Sequence, residues 1–325
     1  MEYNSKNAKR WSIIGQRPTL GLAIQEAAES DENIIAVVAD VTGSAGLSRM
    51  QAELPSQVIN VGIAEQNMMG IATGLASEGF TVFTSSFAPF QSMRCLEQIR
   101  VNQGYMKQKL IMVGLASGVA YGELGFTHCC IEDLSLLRSI PNVAVVSPAD
   151  CMEVAKCVEA AIKYDKSVYI RLMDTTNVPI VYNDEYEFEI GRAVPILTDG
   201  DVAILANGTM VSPAVNAAKQ YYEENGKNVA VYDFHTVKPV DEELLLDLSK
   251  TKKAILTIEE HSLIGGLGSA VSDYYSEKGI LMPVFRMGFP DEYCHGAQHK
   301  TILNDYNLNE DGIKSKINQI MEVIL

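Results

Sequence analysis

Short apolar runs alternate along the first half of the chain with segments that repeat apolar residues at helical spacing. Runs typical of buried strands occur at residues 34–39, 81–83, 110–115, 143–146 and 168–171. Patterns typical of helices lie between them, at residues 18–30, 65–77, 92–103 and 148–163. Pro18 suits a first helical position, and the sequence Ser147-Pro148-Ala149-Asp150 suits a helix start. This alternation predicts an α/β fold built on a mostly parallel sheet, with helices on both faces.

A polar stretch, NDEYEFE at residues 183–189, interrupts this pattern before it starts again. Further strands are predicted at residues 202–206, 229–232 and 254–258, and further helices at residues 212–224, 241–249 and 267–277. We therefore place a linker near residues 183–195. The sequence predicts a larger first domain, residues 1–187, and a smaller second domain, residues 188–325.

Charge and composition argue against several classes of protein, including nucleic-acid-binding and membrane proteins. Hydrophobic residues make up 47% of the 325 residues, so the chain can bury a sizeable core. Lys and Arg total 26 against 41 Asp and Glu, and this net charge of −15 argues against binding to nucleic acid or an anionic membrane surface. No apolar run reaches the roughly 20 residues of a membrane helix, and the polar start lacks a secretory signal, so we expect a cytoplasmic protein.

Cysteine usage agrees with a reducing compartment. The six cysteines include no C-x-x-C spacing, and we expect free thiols. The adjacent Cys129 and Cys130 are open to two interpretations, a reactive pair or two small buried hydrophobic residues. The second interpretation is the more frequent one for free cysteine.

Polar and aromatic side chains follow several predicted strands. Asp40 follows the first strand, Phe87 and Phe90 follow the second, and Arg171 ends the fifth. A loop at residues 116–128, which ends on His128, follows the third. Because ligands of open α/β sheets bind outside the carboxyl ends of the strands, the sequence predicts a small-molecule site there.

Residues 58–79, VINVGIAEQNMMGIATGLASEG, place Glu65 at the start of a helix rich in small residues. Small residues allow helices to approach closely, which indicates a subunit interface. Alone, a first-turn glutamate is explained by the helix dipole, an effect of under about 1 kcal/mol. The small residues of this helix are Gly70, Ala72, Gly74 and Ala76.

The whole string, together with SSFAPF, YGELGFTH and the stretch IED to PAD at residues 131–150, resembles the pyrimidine-binding domain of thiamine-diphosphate enzymes of the transketolase group. In the second half, VKPVD and EEHSLIGGLGSA resemble the third domain of that family, which mainly builds the dimer. The resemblance covers roughly residues 12–320. It implies a pyrimidine-type domain followed by a smaller transketolase C-terminal domain.

The resemblance assigns cofactor-binding residues. Glu65 matches the glutamate that hydrogen-bonds N1′ of the aminopyrimidine of thiamine diphosphate, where a buried carboxyl group keeps or shares a proton. The pyrimidine nitrogen then removes the thiazolium proton, and the protein supplies orientation and proton control. Phe87 and Phe90 match aromatic residues that line the pyrimidine pocket, and Met93 stands at a position that is aromatic in some relatives. Asp40 matches an acidic residue near the cofactor at the subunit contact.

Substrate positions follow from the same resemblance. Arg17, Ser44 and Arg171 match residues that hold the phosphate end of sugar substrates, a role that suits the planar arginine fork. His128 matches a catalytic histidine near the reacting carbonyl and hydroxyl groups. As an alternative, each of the first three belongs to a surface ion pair or a solvated polar group.

Two positions depart from the family pattern. Ala116 stands where many transketolases have a histidine, and Leu124 stands where they have the aspartate of G-E-D-G. Both missing groups normally contact sugar hydroxyls or phosphate. We therefore expect intact carbanion chemistry on a modified or branched sugar.

The motif that binds the diphosphate and its metal is missing. The family uses G-D-G followed by Asn, whereas this sequence offers DGD at residues 199–201 and EDG at residues 310–312, which do not fit. The resemblance implies the C-terminal subunit of a split transketolase that binds no metal itself. A partner N-terminal subunit would supply the diphosphate domain and Mg²⁺ or Ca²⁺, the cofactor would be shared, and the assembly would be an α2β2 heterotetramer.

The expected reaction is transfer of a two-carbon ketol unit from a ketose, phosphorylated or otherwise anionic, to an aldose. One alternative is the β subunit of a 2-oxo acid dehydrogenase, which has this length and a similar A-E-Q motif. A second alternative is a noncatalytic scaffold subunit. The remaining histidines have no assigned role: His235, His261, His295 and His299.

Overall fold

Two sheets, each packed against helices, make up the computed structural model, which describes residues 1–173 and 176–324. The fold is α/β, as the alternating pattern predicts. The first sheet contains seven strands, which are β1 (Ile34–Val38), β2 (Val58–Asn60), β3 (Thr81–Phe87), β4 (Ile111–Leu115), β5 (Val143–Val146), β6 (Ser167–Arg171) and β10 (Thr236–Lys238).

The strand order of the first sheet is β10-β5-β6-β4-β3-β1-β2. All neighbours are parallel except β10, which runs antiparallel to β5. Because helices cover both faces, the central strands are buried throughout, which explains their continuous apolar sequences. The carboxyl ends of β1, β3, β4 and β6 therefore lie along one edge of the sheet.

The helices of the first half include two predicted with only small errors in their limits. Helix α4 has the predicted limits, and α8 begins a few residues later than predicted because Asp150 caps it by accepting from the Glu153 amide at 2.9 Å. The α-helices are α1 (Ser5–Ile14), α2 (Gln16–Ser30), α3 (Ser48–Glu53), α4 (Glu65–Ser77), α5 (Ala88–Gln91), α6 (Leu96–Ile99), α7 (Asp133–Arg138) and α8 (Cys151–Lys163).

The helix predicted at residues 92–103 is wrong as a single element. Residues 92–95 form a turn that follows α5, and α6 and a π-helix over Arg100–Tyr105 come after this turn. π-Helical turns interrupt the regular hydrogen-bond ladder and are frequent near functional sites. The turn between α5 and α6 contains Arg94. With the helix interrupted at this turn, Phe90 contacts His128 and Arg94 contacts Glu65.

The second half forms a five-stranded sheet of order β12-β11-β8-β9-β7, parallel except for β7 against β9. Its strands are β7 (Val194–Leu197), β8 (Val202–Ala206), β9 (Ala230–Asp233), β11 (Ala254–Ser262) and β12 (Val284–Phe289). Its α-helices are α9 (Val211–Asn225), α10 (Glu242–Thr251), α11 (Leu267–Lys278), α12 (His299–Asp305) and α13 (Glu310–Ile324).

Tyr182, directly before the predicted linker at residues 183–195, and Tyr186 within it hold the two halves together. Tyr182 and Tyr186 stack with ring centroids 3.9 Å apart. The Tyr182 hydroxyl donates to Asp233 Oδ2 at 2.8 Å, at the end of β9, and the Tyr186 hydroxyl donates to Glu153 Oε1 at 3.0 Å, in α8. In addition, β10 lies in the second half of the sequence but completes the first sheet. The second half therefore contributes the edge strand of the first sheet, and the two halves share an apolar core.

The cysteines and the helices bear on two sequence predictions. All six cysteines are free and buried, which agrees with small hydrophobic residues, and burial raises the pKa of the Cys129 thiol to about 12. None of the helices in residues 1–173 and 176–324 is both long and apolar enough to cross a membrane.

Gly21 on α2 packs closely against Gly46, in the turn that follows β1, and substitution of Gly21 tests this contact. A methyl group at Gly21 would overlap the backbone carbonyl of Gly46, whereas a methyl group at Gly70 on α4 would meet no atom within 4 Å. We expect Gly21→Ala to lower the free energy of unfolding by about 2 kcal/mol, since the backbone must shift. Gly70→Ala is the matched control and should raise it by about 0.5–1 kcal/mol. Urea unfolding of the isolated chain measures both, and equal effects would contradict this packing.

Candidate active site

Glu65 occupies the first turn of α4, directly beyond the edge where the strands of the first sheet end. Its side chain is only 6% exposed, and Arg94 Nη1 donates to its Oε1 at 2.8 Å. The residue before it, Ala64, makes no side-chain cap, so no capping side chain covers the first turn of α4. A buried carboxylate with one cationic neighbour is thus presented at the sheet edge.

Aromatic rings lie on the other side of Arg94, whose Cζ is 4.1 Å from the centroid of the Phe90 ring. Phe87 ends β3 and Phe90 lies in α5, with ring centroids 6.4 Å apart and planes at 84°. Phe90 also meets the His128 ring edge to face at 5.9 Å, and Phe87 meets Tyr121 at 5.5 Å. The turn after β3 therefore provides an aromatic wall beside Glu65.

Arg17 and His128 lie at the two ends of this group of aromatic side chains. Arg17 Nη1 donates to the Tyr121 hydroxyl at 3.3 Å, and the Thr127 hydroxyl hydrogen-bonds His128 Nδ1 at 2.9 Å. The contacts run without a gap from Arg17 through the aromatic wall to His128. The structure thus brings together five of the eight predicted site residues: Arg17, Glu65, Phe87, Phe90 and His128.

Asp40 and Ser44 lie in the turn after β1. Asp40 is exposed, with a φ of 59°, and its amide donates to Asn60 Oδ1 at 3.0 Å. Asn60 in turn donates to Asp40 Oδ1 at 3.4 Å, so the aspartate is oriented by β2. Ser44 is half-buried, and the Gly46 that follows it packs against the backbone of Arg17. The turn is therefore next to the substrate side of the predicted site, while Asp40 faces outward.

Arg171 does not occupy the position expected of a phosphate ligand. Its side chain is 2% exposed, its Nε donates to Asp133 Oδ2 at 3.0 Å, and its Nη2 donates to the Glu260 carbonyl at 2.9 Å. An oxyanion would have to displace a buried carboxylate that solvent does not reach. In this structure Arg171 contacts the junction between the two halves, and it is not grouped with the other predicted substrate residues.

Further buried groups complete this junction. The Tyr169 hydroxyl donates to Asp133 Oδ2 at 2.8 Å, and burial lowers the pKa of the adjacent His261 to about 4, so this histidine is neutral. Asp133 thus accepts from a guanidinium and a phenol within one closed cluster. A buried carboxylate is stable only with such partners.

Glu260, on β11, connects the second half to the site loop. Its Oε1 accepts from the Val119 amide at 2.8 Å, and its Oε2 accepts from His299 Nε2 at 3.0 Å. Burial alone would lower the pKa of His299, but the Glu260 carboxylate outweighs burial and raises it. Because the same loop carries Tyr121 and His128, the second half helps to set their positions.

The two departures from the family pattern have different surroundings. Ala116 is completely buried at the end of β4, with a φ of 51°. Leu124 is 58% exposed on the site loop. The loop therefore offers an apolar side chain where a carboxylate is expected.

The residues at the sheet edge fit one part of thiamine diphosphate. A buried carboxylate beside aromatic rings suits the aminopyrimidine, and the Ser85 and Ser86 hydroxyls at the end of β3 are buried without a partner in the described chain. Residues 1–173 and 176–324 contain no group of three or more His, Cys, Asp or Glu side chains placed to hold a metal ion. The chain fits the pyrimidine half of the cofactor.

Sequence reasoning did not single out several residues that shape the site. Tyr121 and Glu260 lie inside quoted motifs, YGELGFTH and EEHSLIGGLGSA, and those motifs were the available signal. Arg94 and Asn60 had no sequence signal, because only the fold brings them to Glu65 and Asp40.

Comparison with known proteins decides the family. Residues 14–176 match the transketolase pyrimidine-binding domain, and residues 191–313 match the transketolase C-terminal domain. The chain belongs to the transketolase family. This confirms the two-part architecture expected from the sequence.

Named relatives point to split transketolases. The chain is 38% identical to an apulose-4-phosphate transketolase subunit of Phocaeicola vulgatus, covering 93% of this chain and 96% of the relative. It is 36% identical to a 6-deoxy-6-sulfo-D-fructose transketolase subunit of Clostridium sp. strain MSTE9, covering 90% and 88%. A solved structure described as a split gene transketolase, inactive beta4 tetramer, matches with a TM-score of 0.85 and 34% identity over 96% of this chain and 99% of that chain.

The buried role of Arg171 has a direct consequence for stability. We expect Arg171→Met to lower the free energy of unfolding by about 3–5 kcal/mol, because Asp133 would remain buried without its cation. Arg100→Met is the control, since Arg100 forms an exposed pair with Glu97 and should change stability by less than about 1 kcal/mol.

Chemical denaturation of the isolated chain measures both variants. If Arg171→Met kept the stability of the parent and instead raised the KM for phosphorylated substrates, this result would support Arg171 as a ligand of the substrate phosphate.

Proposed function

We propose that this chain is the C-terminal subunit of a two-chain, thiamine-diphosphate-dependent transketolase that transfers a two-carbon ketol unit from a ketose to an aldose. The observation that supports it most directly is the buried Glu65 carboxylate beside Phe90, in a chain whose relatives are named transketolase subunits. When bound, thiamine diphosphate supplies the electron sink for breaking and forming a carbon–carbon bond next to a carbonyl group.

The residues of this chain have distinct roles in the proposal. Glu65 hydrogen-bonds N1′ of the aminopyrimidine and controls the proton at that atom. Phe87 and Phe90 exclude water and support the ring, since aromatic side chains give large apolar contacts. His128 donates to substrate oxygens near the reacting carbons. Arg17 binds the anionic end of the sugar through its planar donors.

A partner subunit completes the site. Besides the missing metal ligands, apolar side chains are exposed beside Glu65, with Ile63 79% and Met93 39% exposed. Exposed apolar groups around a site indicate a protein interface. Gly70 and Gly74 leave the outer face of α4 open for close helix contact, and exposed Asp40 lies at the same rim. We propose an α2β2 assembly in which the partner holds the diphosphate and Mg²⁺ or Ca²⁺.

The isolated chain is then expected to be inactive. The structural relative is described as an inactive beta4 tetramer, which fits a subunit that associates with itself when its partner is absent. Pull-down of the tagged chain from its own cells, with assay of bound cofactor, identifies the partner. A second chain with a G-D-G motif is the expected result, and a lone cofactor-free chain would favour the scaffold alternative.

A decorated anionic ketose is the proposed donor. Two relatives are named for apulose 4-phosphate and 6-deoxy-6-sulfo-D-fructose, both anionic sugars. Buried Ala116 and exposed Leu124 remove two polar contacts expected for ordinary sugar phosphates. The 2-oxo acid dehydrogenase alternative is not favoured, because these relatives are transketolase subunits.

Glu65→Gln tests the catalytic role. We expect turnover by the reconstituted complex to fall by about 10²–10⁴-fold, because the amide cannot exchange a proton with the aminopyrimidine. Glu78→Gln, at the exposed end of the same helix, is the control and should leave turnover intact. Unchanged turnover in Glu65→Gln would exclude the proposed mechanism.

Arg17→Ala tests the substrate assignment. We expect the KM for a phosphorylated or sulfonated ketose to rise about tenfold or more with little change in kcat, since uniform binding is lost. The KM for an uncharged ketose should stay nearly constant. Steady-state kinetics of the complex with matched charged and uncharged donors measures the difference, and equal effects on both would remove Arg17 from the anion site.

A further inference from the structure

One guanidinium makes both contacts that the proposed function assigns to the aminopyrimidine ring. Arg94 Nη1 lies 2.8 Å from Glu65 Oε1, and Arg94 Cζ lies 4.1 Å from the centroid of the Phe90 ring. A guanidinium is planar and carries N–H donors at its edge, so it satisfies a carboxylate and an aromatic face at once. An aminopyrimidine is likewise planar and hydrogen-bonds a carboxyl group at its edge.

Neither aromatic neighbour of Phe90 stacks on it. Phe87 meets Phe90 with ring planes at 84°, and His128 meets it with planes at 69°. Arg94 lies over the ring, so a planar group cannot stack on that face while Arg94 stays there.

The ion pair also occupies Glu65 itself. The Arg94 guanidinium bonds Oε1, one of the two carboxyl oxygens. The proposed role of Glu65 requires a hydrogen bond from this carboxyl group to N1′ of the aminopyrimidine. Both the stacking on Phe90 and the hydrogen bond to Glu65 therefore involve contacts that Arg94 makes in its present position.

We propose that Arg94 is a displaceable latch that occupies the aminopyrimidine position in the cofactor-free chain and leaves it when thiamine diphosphate binds. This inference rests on the proposed function. It assigns Arg94 as a positioning residue that acts through Glu65, rather than as a catalytic one.

The surroundings of Arg94 permit such a movement. The side chain of Arg94 is 45% exposed, while that of Glu65 is 6% exposed, so the guanidinium is the mobile partner at the rim. The backbone is held separately, because the Arg94 amide donates to the Pro89 carbonyl at 3.2 Å and Gln66 donates to the Arg94 carbonyl at 3.1 Å. Release therefore needs only rotation of the Arg94 side chain, with its backbone in place.

Removing the latch should tighten cofactor binding. A partly exposed ion pair and a partly exposed cation–π contact each account for a factor of about two to five in an equilibrium constant. We expect Arg94→Ala to lower the Kd for thiamine diphosphate about tenfold, since the cofactor no longer displaces Arg94. Arg94→Lys keeps the charge but loses the planar stacking, so an intermediate Kd is expected.

Equilibrium dialysis of the reconstituted complex against thiamine diphosphate and Mg²⁺ measures the Kd without relying on turnover. Arg100→Ala is the matched control, because Arg100 forms an exposed ion pair on a neighbouring turn that does not involve Glu65. Its Kd should equal that of the parent. If Arg94→Ala does not assemble with the partner, Arg94→Gln, which keeps most of the side-chain volume, is judged by the same criterion.

An unchanged or higher Kd in Arg94→Ala would overturn the latch, because it would mean that Arg94 does not compete with the cofactor or helps to bind it. Failure of the proposed function gives a different result: turnover that survives Glu65→Gln. Loss of turnover in Glu65→Gln with an unchanged Kd in Arg94→Ala would reject the latch alone.

Discussion

The buried pair of Asp133 and Arg171 is the constraint on which the rest of the molecule depends. Arg171 ends β6 in the first sheet, Asp133 begins α7, and the Arg171 guanidinium also donates to the Glu260 carbonyl of the second half. Both charges are removed from solvent, so each needs the other to remain buried. The two halves must therefore keep one relative position, which the tyrosine contacts of the linker support.

This rigidity positions the site loop. Glu260 lies at the junction and accepts from the Val119 amide, a few residues before Tyr121. The loop continues to His128, which contacts Phe90. A domain that supplies no residue to the proposed chemistry thus still sets the geometry of the aromatic wall. Function in this chain depends on the contact between the halves as well as on the first sheet.

The outer side of the candidate site, around Glu65, is exposed to solvent. Glu65 is buried, but Arg94, Ile63 and Met93 around it are exposed. This arrangement agrees with the proposed division of the site between two chains, in which the second chain would bind the diphosphate and the metal. Within this chain, Arg94 is the ionic partner of buried Glu65.

The sequence by itself determined the features that rest on local patterns. The strands β1, β4, β5 and β6 and the helix α4 follow from apolar runs and periodicity, and Glu65, Phe87 and Phe90 follow from motifs attached to them. Tertiary structure decided which partners those side chains have. Arg171 lies at the end of a strand, where ligand-binding residues are common. Its guanidinium instead pairs inside the protein with Asp133, which is 38 residues away in the chain. Likewise β10 joins a sheet from the other half, because pairing of distant segments depends on packing that no local pattern encodes.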